Sequence, residues 1–123
     1  MATFHEFESA RNLYEKLVRD GQRLQYEPSG DNFFTFITTV VHLQPWIKSL
    51  PISASETINR LLRKLSRHPY VKICKNITSA KVLFKIEVFN DGSAMLHIDN
   101  ELIDVNSFRD ELLHLFDKYF KQK

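Results

Sequence analysis

The chain has 123 residues, 43% hydrophobic and 26% charged, with a formal net charge of +2; that is the size and composition of one globular domain and excludes disordered, collagen-like and low-complexity classes. Three Gly and four Pro disfavour a turn-rich all-β architecture and favour helices with short connections. The single cysteine, Cys74, excludes an internal disulfide and a Cys-based metal site.

The first helix is predicted from Phe4 to Leu24. Thr3 and Glu6 form a T-x-x-E capping box, and Phe7, Ala10, Leu13, Tyr14, Leu17, Val18 and Leu24 follow helical spacing. Glu27-Pro28-Ser29-Gly30-Asp31 reads as a loop with Asp31 as the next N-cap. The Phe-, Ile-, Thr- and Val-rich segment 32–43 suits a strand by composition. Its length and the period of Phe33, Phe36/Ile37, Val40 and Leu43/Ile47 instead predict a buried helix that kinks or ends near Pro45. Within it, His42 near Trp46 reads as a packed or hydrogen-bonded core residue. A second capping box, Ser53 to Glu56, opens a helix with Ile58, Leu61, Leu62 and Leu65 inward and Arg60, Arg63, Lys64 and Arg67 mostly outward. Pro69 ends that helix and starts another, with Tyr70, Ile73, Cys74 and Ile77 on one face. On that face the Cys74 thiol reads as buried and inert rather than nucleophilic.

The period then changes from helical to alternating. Residues 82–89 place Phe84, Ile86 and Val88 on one side, and Asn90-Asp91-Gly92 carries hairpin chemistry. On the return strand Met95, His97 and Asp99 alternate with Leu96 and Ile98, and Glu101–Val105 offers a third short strand. The last helix is predicted to begin near Ser107, with Asp110 completing an S-x-x-D cap, and to bury Phe108, Leu112, Leu115, Phe116 and Tyr119. The fold class expected is therefore mainly α: a single domain of four to five bundled helices, with one small antiparallel β-hairpin or meander before the C-terminal helix. Phe36, Val40, Leu61 and Phe116 are its expected core positions.

Charge is unevenly distributed. Residues 60–85 hold eight cations (Arg60, Arg63, Lys64, Arg67, Lys72, Lys75, Lys81 and Lys85) and no carboxylate, while the flanking segments are net acidic. Arg60, Lys64 and Arg67 stand at i, i+4 and i+7 and share a helical stripe. Arg60, Arg63, Lys64, Arg67, Lys72 and Lys75 are accordingly the candidate binding residues for an anionic partner, RNA, DNA or an acidic protein. The competing expectation is a solvated face whose cations pair with Asp104, Asp110 or Glu111.

Motifs for other chemistry are absent. There is no phosphate-cradling glycine loop and no nucleophile elbow. His5, His42, His68, His97 and His114 are too scattered for metal-ligand spacing, so neither metal nor cofactor is expected. No apolar run reaches membrane-spanning length and the N-terminus lacks a signal-peptide core, so the expected setting is cytoplasmic.

The run from Phe33 to Trp46, with its clustered Phe residues and His42-Leu43-Gln44-Pro45-Trp46, resembles the Phe-rich, His-Leu-x-x-Trp helix of small bacterial HEPN-like helical bundles. Pro69 to Lys81 is similar to the segment where those proteins carry a Cys-Arg-Asp-Ile-Ala-Asn-x-x-Lys-His run; Lys75 and Asn76 match in kind, whereas Ser79, Val82 and Leu83 depart from it. The resemblance implies a helical fold that commonly pairs into dimers and a place in bacterial toxin–antitoxin or phage-defence systems. Its active members cut RNA through an Arg-x(4–6)-His pair, with His as general acid/base and Arg stabilising the phosphorane charge. Arg63…His68 and Arg109…His114 have that spacing, and Asp110 follows Arg109 directly. Five residues on a helix, however, separate Arg109 and His114 by about 140° around the axis. Three functions thus remain in view: a non-catalytic binding module, a divergent HEPN-like ribonuclease, and a ligand-free structural homodimer.

Overall fold

A computed structural model describes residues 10–48 and 56–120, except the side chains of Thr57, Ile58 and Tyr119. Among these residues the chain forms five helices, α1 (Ala10–Tyr26), α2 (Gly30–Lys48), α3 (Glu56–Arg67), α4 (Pro69–Thr78) and α5 (Val105–Phe120), with three strands, β1 (Phe84–Val88), β2 (Ala94–Ile98) and β3 (Glu101–Asp104), between α4 and α5. The mainly helical architecture with an antiparallel meander before the last helix agrees with the sequence pattern. No described helix is long and apolar enough to cross a membrane.

The helices form because their apolar positions recur at helical spacing and meet in one core. Leu13, Tyr14, Leu17 and Leu24 line the inner face of α1, and Phe33, Phe36, Ile37, Val40, Leu43 and Ile47 that of α2. All four expected core positions, Phe36, Val40, Leu61 and Phe116, are 0–1% exposed. In α2 the hydroxyls of Thr35 and Thr38 donate to the carbonyls four residues back at 3.0 and 2.8 Å. Such back-bonding does not by itself favour a helix; the continuous buried stripe from Phe33 to Ile47 is what folds a strand-like composition as one. The helix continues through Pro45 to Lys48 rather than ending there.

The sheet has the order β1-β2-β3, with Phe84 opposite Ile98 and Ile98 opposite Glu101. Its inner face seats Ala94, Leu96 and Ile98 against α5. Phe33 joins the layers: its ring lies 5.5 Å from both Phe84 and Phe108, and Phe108 lies 4.6 Å from Tyr70. The β1–β2 turn falls at Asn90–Gly92 as expected, with Gly92 at φ +87°. Asp99 takes φ +51° in the tight β2–β3 turn, a conformation Asp tolerates better than most residues.

Several local expectations are corrected. Ser29, not Asp31, caps α2, because its Oγ accepts the Asn32 N–H at 3.0 Å and Asp31 falls inside the first turn. Asp104, not Ser107, caps α5, accepting the Ser107 N–H at 2.8 Å, so the helix starts directly from the end of β3. The buried face of α4 centres on Val71, Cys74 and Ile77, with Tyr70 and Ile73 only partly covered. Val88 is 49% exposed at the far end of β1. The predicted start at Phe4, the Thr3 box and Ser53 lie outside the described residues.

Candidate anion-binding site

The α3–α4 corner is built by its own sequence. His68 terminates α3 and caps α4 in extended geometry, and Pro69 supplies the first helical residue, where its missing N–H costs nothing. His68 Nδ1 accepts the Tyr70 N–H at 3.1 Å. With Nδ1 accepting, the ring proton sits on Nε2, which faces Glu111 Oε1 of α5 at 3.4 Å. One imidazole therefore pins the corner to the C-terminal helix.

Around this corner Arg60, Arg63, Lys64, Arg67, His68, Pro69 and Lys118 line an open depression of about 670 Å³. A second depression, of about 450 Å³, is lined by Gln44, Pro45, Lys48, Leu62, Arg63, Ser66 and Lys75. Arg63 belongs to both, so the two adjoin. The structure thus brings together Arg60, Arg63, Lys64, Arg67 and Lys75 of the sequence candidates. Lys72 is exposed on α4 and lines neither depression.

The cations are not neutralised by the acidic residues considered from sequence. Glu56, four residues ahead of the basic stripe, sits 3.5 Å from Arg60 and 3.7 Å from Arg63. All three side chains are more than half exposed, so these pairs contribute little stability. Glu111 reaches His68 rather than an arginine or lysine. Among the described residues no carboxylate comes within ion-pair distance of Lys64, Arg67 or Lys118. Lys118 and Lys48 went unrecognised in the sequence, since they lie in segments whose net charge is negative and only packing brings them to this face.

The other residues singled out from sequence fall elsewhere. Arg109 is 5% exposed; its guanidinium donates to Asp110 Oδ1 at 2.8 and 3.1 Å and to Asn106 Oδ1 at 2.8 Å. His114 is exposed on the same helix, so the two face different surroundings. Cys74 is fully buried, and burial pushes its thiol well above the ordinary range. His42 is not a core residue. It is exposed and lines an α1–α2 groove of about 470 Å³ with Phe34, Thr38 and Trp46, because the core face of α2 passes through Val40 and Leu43 instead. Beside that groove Asp20, 7% exposed, accepts from Lys16 at 2.6 Å and Thr39 at 2.7 Å, which satisfies a buried carboxylate structurally. No group of three or more His, Cys, Asp or Glu side chains that could hold a metal occurs among the described residues. Comparisons with protein families, with curated proteins and with solved structures find no match to this chain.

Proposed function

We propose that this protein is a non-catalytic binding module whose α3–α4 corner grips the phosphate backbone of a nucleic acid. The observation that carries this reading is the pair of adjoining depressions, lined by Arg60, Arg63, Lys64, Arg67, Lys118, Lys48 and Lys75. A single small anion needs one cationic pocket, whereas a track of cations spread over two suits a polyanion. The stripe from Arg60 to Arg67 alone runs about 10 Å along α3. Long, exposed side chains, with only Glu56 set against Arg60 and Arg63, favour phosphate contact over base readout, so binding depends strongly on salt and weakly on sequence. The HEPN-like resemblance makes a bacterial cytoplasmic setting, in a toxin–antitoxin or phage-defence system, the context we favour.

Replacing Arg60, Lys64 and Arg67 together by Glu tests the reading. Anisotropy of a short fluorescent RNA should show binding to the native protein and none to the variant, with thermal stability nearly unchanged because all three side chains are exposed. Equal binding by both proteins would remove the corner from the interface.

A second reading, a divergent HEPN-like ribonuclease, draws on one observation: Arg63 and His68, which have the family's spacing, line the same depression. It ranks below the first because both ring nitrogens of His68 are engaged, one by the α4 cap and one by Glu111. RNA cleavage that is lost in His68→Gln would reverse that order.

A further inference from the structure

The strand β1 forms one edge of the sheet, and its sequence is self-complementary: reversed, the apolar positions coincide and the two charges exchange sign. Leu83-Phe84-Lys85-Ile86-Glu87-Val88-Phe89 runs apolar, apolar, cation, apolar, anion, apolar, apolar. An antiparallel strand laid against it with the two Ile86 residues opposite would set Lys85 against Glu87, Phe84 against Val88 and Leu83 against Phe89, each pairing occurring twice. From this geometry we propose that β1 is a homodimer interface, joining two three-stranded sheets edge to edge into one six-stranded antiparallel sheet about a two-fold axis through Ile86.

The hydrogen-bond phase of the hairpin agrees with that register. Phe89 N–H donates to Ser93 at 2.8 Å, so Phe89 and Ser93 are a hydrogen-bonded pair. Alternation along the ladder then makes Glu87–Met95 and Lys85–His97 hydrogen-bonded pairs as well. The N–H and C=O groups of Phe84, Ile86 and Val88 consequently point away from β2, towards the open edge. In the dimer these groups bond across the axis, which puts Lys85 and Glu87 at non-hydrogen-bonded positions, where side chains of opposing strands lie closest. Opposite charges directly across an antiparallel pair attract. Glu87 also accepts from or pairs with His97 of β2 at 2.8 Å, which holds its carboxylate on the outer face of the sheet.

The edge is otherwise poorly protected. Leu83, Val88, Phe89 and, on the neighbouring turn of α2, Phe34 are 92, 49, 42 and 42% exposed. Natural edge strands are usually blunted by proline, bulges or unmatched charge. Here β1 has no proline, and its lone lysine meets a glutamate in the self-paired register. A depression of about 490 Å³ lies beside the strand, lined by Gly30, Asp31, Phe34, Thr35, Phe84, Lys85 and Ile86. It lies between the first turns of α2 and β1. Val88 of the second copy, placed opposite Phe84, fills it from the partner side. The opposite edge lacks this complementarity: self-pairing of Glu101-Leu102-Ile103-Asp104 would place Glu101 against Asp104, like charge on like. The symmetric β1 pairing is closed and stops at two copies.

Sedimentation equilibrium over a concentration series, with light scattering, tests the proposal. The native protein should reach twice 14.5 kDa. Lys85→Glu and Glu87→Lys should each weaken dimerisation about tenfold or more, since each turns two attractive pairs into two repulsive ones. The double variant Lys85→Glu/Glu87→Lys exchanges the charges, restores the self-complementarity, and should recover dimerisation to within about threefold of native. In amide exchange, Phe84, Ile86 and Val88 should gain protection as concentration rises, whereas Lys85 and Glu87, already bonded to β2, should not. A monomer at every concentration, a dimer indifferent to the single exchanges, open polymers, or a folded double variant that stays monomeric would each overturn it.

Discussion

Gly21 lies in the interior of α1, where glycine costs about 1 kcal/mol relative to alanine. In an unconstrained helix Gly→Ala would therefore stabilise. At Gly21 an added Cβ would stand 3.2 Å from Phe36 Cε1, 3.2 Å from Leu113 Cδ1 and 3.6 Å from Arg109 Cδ. The first two distances are tighter than ordinary contact. Phe36 is completely buried within the core, so its ring must shift against packed neighbours, an overpacking cost of about 1–3 kcal/mol. The steric term exceeds the propensity gain, and Gly21→Ala should destabilise by about 1 kcal/mol net. Gly30, at the start of α2, is the internal control. A Cβ there meets nothing within 4 Å and its φ is not positive, so Gly30→Ala should stabilise by about 0.5–1 kcal/mol. Urea denaturation measures both, and the midpoints should move in opposite directions at constant slope. Stabilisation by Gly21→Ala comparable to that of Gly30→Ala would refute the close approach of α1 to α2 and α5.

Other perturbations address single features. Phe36→Ala should cost about 3–5 kcal/mol in the same assay; a loss under about 1 kcal/mol would mean α2 does not bury this ring. Tyr14 donates to Asp117 and is buried against Phe120, and burial followed by that carboxylate raises its phenol to about 12. The neutral phenol then contributes stability of about 3 kcal/mol that is fully present below pH 10 and lost as pH rises through about 12. Absorbance titration should show one more tyrosine ionising near pH 12 in the native protein than in Tyr14→Phe; a difference between the two curves centred near pH 10 would contradict it. Ala80 closes α4 at φ +62°, with Ala80 N–H donating to Ile77 and Lys81 N–H to Asn76. This is a left-handed helix terminus that favours glycine, so Ala80→Gly should stabilise by up to about 1 kcal/mol, seen as a raised urea midpoint; a lowered midpoint would count against that backbone conformation.

Periodic patterns revealed most of the fold. The spacing of Phe33, Phe36, Val40 and Leu43 in α2 outweighed a β-branched composition, and the alternation of Leu96 and Ile98 with Met95 and His97 marked β2. Helix starts were less legible. Ser29, Asp31, Asp104 and Ser107 all carry capping oxygens, and only backbone geometry decides which accepts the N–H. The basic stripe of α3 was visible as spacing, and the Glu56–Arg60 pair, at i and i+4 on the same helix, was open to the same reading but went unread. Lys118 and Lys48 reach the stripe only through tertiary packing, which local sequence does not encode. His42 illustrates the same limit: its helix was legible, and the angular position of its side chain, just off the buried stripe, was not.

The salt dependence of RNA binding tests the central claim most directly. Each phosphate neutralised on a single strand contributes about −0.7 to the slope of log K against log salt. With four to five cations of the corner engaged, the slope should be about −3, and Arg63→Ala, which removes the residue shared by both depressions, should flatten it by about 0.7. A native slope near zero, or one that Arg63→Ala leaves unchanged, would contradict phosphate recognition at the α3–α4 corner.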